Sequence, residues 1–290
     1  MRVAAVTDHD TMRSVAAFRA AAAGRFTAIP ACEVSSTWRG KEAHCLAYWV
    51  SETDAEFSAR VGRARECELM WWRAWIDRAA AFGVPLTWDD VEREIGPDRI
   101  AFTGDYLALL LRYAKDDPRF DRYAGDSGLL VAELCAPGQP LHVPRPWLPE
   151  LTAVIGWIVA AGGVPVLAHP SDSVTDADFA LLRDAGLAGL EVWTTWHDPK
   201  RSARLAGCCA RTGLIATAGS DYHGERVKAW TRQPGLLPAV PDDPCRSWTL
   251  CASGGPHGPG KMRCHDLDHE VRDIPPVPLP AGVLSGVDPR

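Results

Sequence analysis

Val3-Ala4-Ala5-Val6-Thr7-Asp8-His9-Asp10-Thr11 decides the fold. Four apolar residues run into Thr7 and stop at Asp-His-Asp, the pattern of a short buried strand ending in polar groups. Met12, Val15, Ala16 and Ala20 then recur at helical spacing, and Thr11 is placed to cap that helix. Asp8, His9 and Asp10 therefore sit where a strand hands over to a helix. In α/β folds ligands collect at that end of the strand. Taken alone, the stretch also reads as a loop with three solvated polar groups. The strand ends further along the chain separate the two readings.

Working outward, Phe26 to Pro30 reads as a second strand, with Glu33 at a strand end in Ala31-Cys32-Glu33-Val34-Ser35. Ala43 to Trp49 reads as a third strand, with Arg39-Gly40 as the turn before it and His44 inside an otherwise apolar run. From Asp54 to about Pro149 the periodicity is helical. Leu69, Trp72, Ala79 and Phe82 share a face that ends at Gly83, Thr87 caps a further helix, and Tyr106 to Tyr113 forms another. The tryptophans of this part, Trp71, Trp72, Trp75 and Trp88, are read as core. A helical insertion of this length on an α/β body is the usual form of a lid.

Strand and helix then alternate. Helices over 151–161, 176–185 and 199–212 end at Gly162, Gly186 and Gly213. Strands over 164–168, 188–192 and 214–218 end at His169, carry Glu191, and end in Gly219-Ser220-Asp221-Tyr222-His223-Gly224. This alternation is the signature of a parallel α/β sheet or barrel. After Pro234 Pro and Gly dominate, and 236–290 is expected to be a disordered tail. Its Cys245, Cys251, Cys264, His265 and His269 match no standard zinc spacing.

The 290 residues, 47% of them hydrophobic, suffice for a sizeable core. A net charge of −6 argues against a DNA-binding surface, though not against a nucleotide substrate. No apolar run is long enough to span a membrane and no signal peptide is seen, so the expected location is cytoplasmic. Of nine scattered cysteines, Cys32, Cys45, Cys67, Cys135, Cys208 and Cys209 fall in the part that should fold and read as free, buried thiols in a reducing compartment.

Gathered together, Asp8, His9, Asp10, Glu33, His44, His169, Asp221 and His223 come from at least five elements whose ends a parallel barrel brings to one face. Imidazoles and carboxylates without thiolates suit manganese, iron or zinc, and a carboxylate such as Glu33 can bridge two ions. Such sites activate water against phosphoesters.

In this order the motifs Thr7-Asp-His-Asp-Thr11, Glu33-Val-Ser, His44-Cys-Leu-Ala-Tyr, Ala168-His169-Pro170, Glu191-Val192 and Gly219 to Gly224 resemble the polymerase and histidinol phosphatase (PHP) superfamily. Within it the chain is most similar to the TrpH-like branch of metal-dependent phosphoesterases, from about Arg2 to Lys228. The resemblance implies a distorted (β/α)7 TIM-like barrel with a helical insertion. Barrel parts over 1–53 and 150–235 would flank an insertion over 54–149. It implies two or three divalent metal ions (manganese, iron or zinc) held by His9, Glu33, His44, His169, Asp221 and His223. Asp8 and Asp10 would orient the first of these, and Asp8, His9 and His197 would take part in catalysis. His197, Arg99 and Arg145 would contact phosphate. The implied substrate is small and phosphorylated, a nucleoside 3′,5′-bisphosphate or the 5′ end of a short RNA, hydrolysed by metal-activated water.

Two departures accompany the resemblance. The family's opening His-x-His strand and acidic turn are absent, and Met1-Arg2-Val3 aligns inside what would be the second strand. The expectation is a barrel whose first strand is missing, through a truncated gene or a start codon placed too far downstream. Pro97-Asp98-Arg99 stands where the family carries Arg-Pro-His. Sugar or histidinol phosphate phosphatase, and a non-catalytic metal-binding remnant, are the competing readings.

Overall fold

The computed structural model describes residues 3–95, 103–144 and 147–222. The opening stretch is a parallel ladder in a single register. In β1 (Val3–Ala5), Val3 lies opposite Thr27 of β2 (Thr27–Ile29), and beyond the strand His9 lies opposite Glu33, the same 24-residue offset. Pro30, which has no N–H to give to a ladder, separates β2 from β3 (Ala31–Trp38). The Glu33 N–H donates to the Asp8 carbonyl at 3.1 Å, and the Asp10 N–H donates to the Glu33 carbonyl at 2.8 Å. The continuation of β1 thus covers the outer edge of β3.

β3 pairs antiparallel with β4 (Lys41–Tyr48) through a two-residue hairpin at Arg39-Gly40, the expected turn. Both turn residues have positive φ (51° and 74°), which suits the twist of the flanking strands. The third strand is longer than the sequence indicated and begins at Lys41. β5 (Val164–Leu167) joins β4 antiparallel, then β6 (Gly189–Trp193) and β7 (Ile215–Ala218) follow in parallel, giving the sheet order β3-β4-β5-β6-β7. Every strand except β4 therefore runs in one direction.

The expected α/β class is found, with one strand position corrected. Among the described residues the strands form an open mixed five-stranded sheet with a two-stranded parallel pair beside it, and no closed barrel. Glu33 lies inside β3 rather than at its end, because the segment after Pro30 pairs with β4 along its full length.

Period-two alternation divides the sheet. Cys32, Val34, Cys45, Ala47, Leu167, Leu190 and Val192 face the main apolar core under the helices. That layer contains α6 (Leu151–Ala160), α7 (Asp176–Asp184), α8 (Pro199–Thr212) and the first half of α2 (Ala55–Ala81). The other face carries a small apolar cluster, Ile29, Ala31, Leu46, Tyr48, Val166 and Ala168, with the polar residues above it.

Local signals set the helix ends. Asp198 accepts from the Arg201 N–H at 2.7 Å, Pro199 opens α8, and Gly213 closes it with φ of 76°. α1 (Val15–Ala22) begins later than expected: Thr11 accepts only from the Arg13 N–H, and the Ser14 hydroxyl donates to Asp8 instead of capping the helix.

A second apolar cluster joins the later half of α2 to α3 (Trp88–Ile95), α4 (Thr103–Tyr113) and the short α5 (Ser127–Leu130). Trp72 and Trp75 are buried there, and Trp72 stacks on Tyr106 at 4.0 Å between ring centroids, so these tryptophans are core. Cys32, Cys45, Cys208 and Cys209 are buried free thiols, whereas Cys67 and Cys135 are only half-buried. No described helix is long and apolar enough to cross a membrane. The tail expected over 236–290 lies outside the described residues.

Candidate metal centre

The polar half of the open face is built from diagonal neighbours. Glu33 pairs with Leu46 and Ser35 with His44, so Glu33 and His44 project from the same face one pleat apart, within reach of long side chains. β5 brings His169 to the same level, since the Ala168 N–H donates to the His44 carbonyl at 3.0 Å. His9 arrives from the β1 continuation and Asp221 from the end of β7.

Glu33, only 5% exposed, is the hub. Its Oε1 lies 3.0 Å from His44 Nδ1 and 3.1 Å from His169 Nε2, and those two nitrogens are 3.3 Å apart. Its Oε2 lies 3.9 Å from His9 Nε2. Two candidate ligand groups result, His9–Glu33–His44 and Glu33–His169–Asp221, with the ligand atoms of each group within 4.8 Å of one another. Nitrogen and oxygen ligands about 2.0–2.2 Å from a tetrahedral ion lie about 3.3–3.6 Å apart. The Glu33–His44–His169 triangle is close to that size, and the donor set is the one borderline divalent ions take. The residues fit a metal.

Surrounding contacts hold these side chains. The Asp10 carboxylate accepts from the Ser35 N–H at 2.9 Å and from the Ser35 hydroxyl at 2.7 Å, which locks the His9 loop to β3. Glu191, buried in the middle of β6, accepts from the His169 N–H at 2.9 Å. The Trp196 indole donates to Asp221, and the Trp196 ring leans over His169. Asp10, His169 and Asp221 all have positive φ (52°, 26° and 51°), a rare conformation for side-chain-bearing residues that concentrates at functional sites. Gly219 lies close to Glu191: a Cβ there would press on Glu191 Oε1 and force the carboxylate to shift.

The electrostatics follow from three imidazoles around one buried carboxylate. Burial would raise Glu33, but the charge of His9 and the hydrogen bonds from His169 and His44 hold it well below the usual carboxylate range. Burial would lower His44, yet hydrogen bonds to Glu33 and to Glu42 push it up to about 10. His169 is raised in the same way: burial opposes the shift and Glu33 overcomes it. Burial raises Glu191 to about 7 against the pull of His169. Asp10 is also raised by burial, with Ser35 countering.

The structure thus brings together five of the expected ligands, His9, Glu33, His44, His169 and Asp221. His223, Arg99 and Arg145 lie outside the described residues. Asp8 bonds through its backbone to Glu33 and through its side chain to Ser14, beside the cluster. His197 lies on the loop after β6, and its Nδ1–H donates to the Val192 carbonyl at 2.9 Å; burial lowers its pKa. Glu191 stands in one of the sequence motifs, but the sequence alone assigns it no role. Its only signal is a lone acid in the strand Leu190-Glu191-Val192. Trp196 has no sequence signal of its own.

No protein-family model matches the chain. It is 29% identical over 232 residues to a 3′,5′-nucleoside bisphosphate phosphatase of Chromobacterium violaceum, covering 76% of each chain. A solved amidohydrolase from Chromobacterium violaceum, with bound sulfate and no metal, superposes with a TM-score of 0.63 at 27% identity, over 80% of this chain and 81% of that one. A solved protein from Bifidobacterium adolescentis assigned as a metal-dependent phosphoesterase shares the fold, with a TM-score of 0.64 at 23% identity, over 92% of this chain and 84% of that one.

Proposed function

We propose that the chain is a PHP-type metal-dependent phosphoesterase, a hydrolase that removes phosphate from a small nucleotide-like substrate, a nucleoside 3′,5′-bisphosphate in the first instance. The observation that carries this reading is Glu33, one carboxylate shared by the His9–His44 and His169–Asp221 ligand groups. The similarity to a bisphosphate phosphatase supports the substrate class. A sheet with helices on one face and polar groups on the other is consistent with the barrel architecture implied by the sequence motifs.

In this reading His9, Glu33, His44, His169 and Asp221 hold two or three divalent ions, with His223 completing the set. Bound there, the ions would activate water and stabilise charge on the phosphoryl group. The chain's own residues do the rest. Asp10 and Ser35 fix the His9 loop, Glu191 fixes the His169 backbone, and Trp196 orients Asp221. His197, its Nδ1–H committed to the Val192 carbonyl, is held on the loop after β6. Arg99 and Arg145 are assigned to phosphate, and the insertion over 54–149 to covering the substrate.

The test is phosphate release by protein stripped of metal and reloaded separately with manganese, iron or zinc. Substrates are a nucleoside 3′,5′-bisphosphate, a 5′-phosphorylated RNA oligomer, histidinol phosphate and a sugar phosphate. Metal-dependent turnover with preference for the bisphosphate supports the reading. Preference for histidinol or sugar phosphate would replace the substrate, and no turnover with any metal would overturn the enzyme assignment.

A further inference from the structure

Arg65 lies on α2 next to Ala64 and one turn after Val61, both buried. Its Nη1 is buried and makes no hydrogen bond among the described residues. Other arginines of the insertion are engaged: Arg60 with Glu56, Arg78 with the Pro140 carbonyl, and Arg119 with Asp117. Arg65 is close enough to feel Arg13 and Asp10, on the segment that follows His9, and Tyr106 of α4. The Asp10 carboxylate is already committed to Ser35. Burial first and Arg13 second pull the Arg65 guanidinium below its usual range, with Asp10 and Tyr106 countering.

A half-buried cation beside a second cation, with no bonded carboxylate, is an unfavourable arrangement unless an anion joins it. Guanidinium groups match phosphate geometry, and the charges that reach Arg65 lie on the segment following His9. We infer that Arg65 is a specificity residue that receives the second, non-reacting phosphate of the substrate. This rests on the phosphoesterase reading above, which assigns the reacting phosphate to the Glu33 cluster. The helical insertion thereby acquires a definite role, in which α2 discriminates a bisphosphate from a monophosphate.

The experiment is calorimetric binding of a nucleoside 3′,5′-bisphosphate and of the matching 3′- and 5′-monophosphates to metal-loaded wild type, Arg65→Met and Arg65→Lys. Metal content and thermal midpoint are measured alongside. A charge-assisted hydrogen bond of about 1.5–3 kcal/mol corresponds to about 10- to 100-fold in affinity. Arg65→Met should weaken the bisphosphate and the monophosphate that keeps the non-reacting phosphate by that factor and leave the other monophosphate within about twofold, with Arg65→Lys in between. Metal content should not change, and the midpoint should not fall, because the lost charge had no bonded partner. Equal bisphosphate affinity in wild type and Arg65→Met, or equal weakening of the two monophosphates, would overturn the inference. Turnover is read separately: wild type that binds the bisphosphate through Arg65 but releases no phosphate would sink the catalytic reading and leave this one standing.

Discussion

The His169 backbone N–H donates to the Glu191 carboxylate across 2.9 Å, so a side chain from β6 fixes the conformation of a residue at the end of β5. This bond holds His169 at φ of 26°, where the chain would not rest unaided. Glu191→Ala should leave the half-buried N–H without its acceptor, costing about 1–3 kcal/mol. It should also lower metal content. Glu191→Gln keeps an acceptor and should retain the metal. Chemical denaturation and metal analysis of the two variants check this, and equal behaviour of both would count against the bond.

Glu191 also sets a pH dependence. Burial raises it from 4.5 to about 7, so the folded state holds its proton more tightly than the unfolded chain. That contribution is fully present below pH 4.5 and is lost as pH rises through about 7. The metal-free protein should therefore lose stability over this interval, and Glu191→Gln should flatten the slope. Thermal midpoints across the interval provide the measurement, and an unchanged slope would contradict the assignment.

Asp10 and Ser35 form a buried pair with two hydrogen bonds. Ser35→Ala removes the hydroxyl donor from a buried carboxylate, and a loss of about 1–3 kcal/mol is expected, with weaker metal retention because the His9 loop loosens. Equilibrium unfolding with and without metal reads both effects. A variant as stable as wild type would show that the pair does not anchor the loop.

Gly219→Ala places a Cβ against Glu191 Oε1. Either the carboxylate or the end of β7 must move, at a cost of about 1–3 kcal/mol. Gly219→Ala combined with Glu191→Ala should be more stable than the sum of the two losses predicts, because the clash disappears with the carboxylate. A double-mutant cycle showing simple additivity would refute the contact.

Much of this architecture is legible in the sequence, and the reasons for success and failure are specific. Pro199 and Gly213 bracket α8 because each carries its backbone preference with it. Arg39-Gly40 marks the hairpin for the same reason. His9, Glu33, His44, His169 and Asp221 are recognisable as chemistry-bearing residues interrupting apolar strands. The 24-residue register joining β1 to β2 and on to Glu33 is not legible, because Pro30 splits the strand and pairing partners leave no local trace. The start of α1 differs from the expectation because Ser14 and Asp8 bond to each other, a tertiary choice that Thr11 does not reveal. Arg65 carries no sequence signal, because one arginine on a long polar helix resembles any other until its burial is known.

The central claim is that Glu33 is shared by two metal-ligand groups. The decisive measurement is metal stoichiometry by mass spectrometry on Glu33→Ala, His9→Ala and His169→Ala, purified alongside wild type. The account predicts that His9→Ala and His169→Ala each lose part of the bound metal, whereas Glu33→Ala loses the metal of both groups. Wild-type stoichiometry in Glu33→Ala would contradict it.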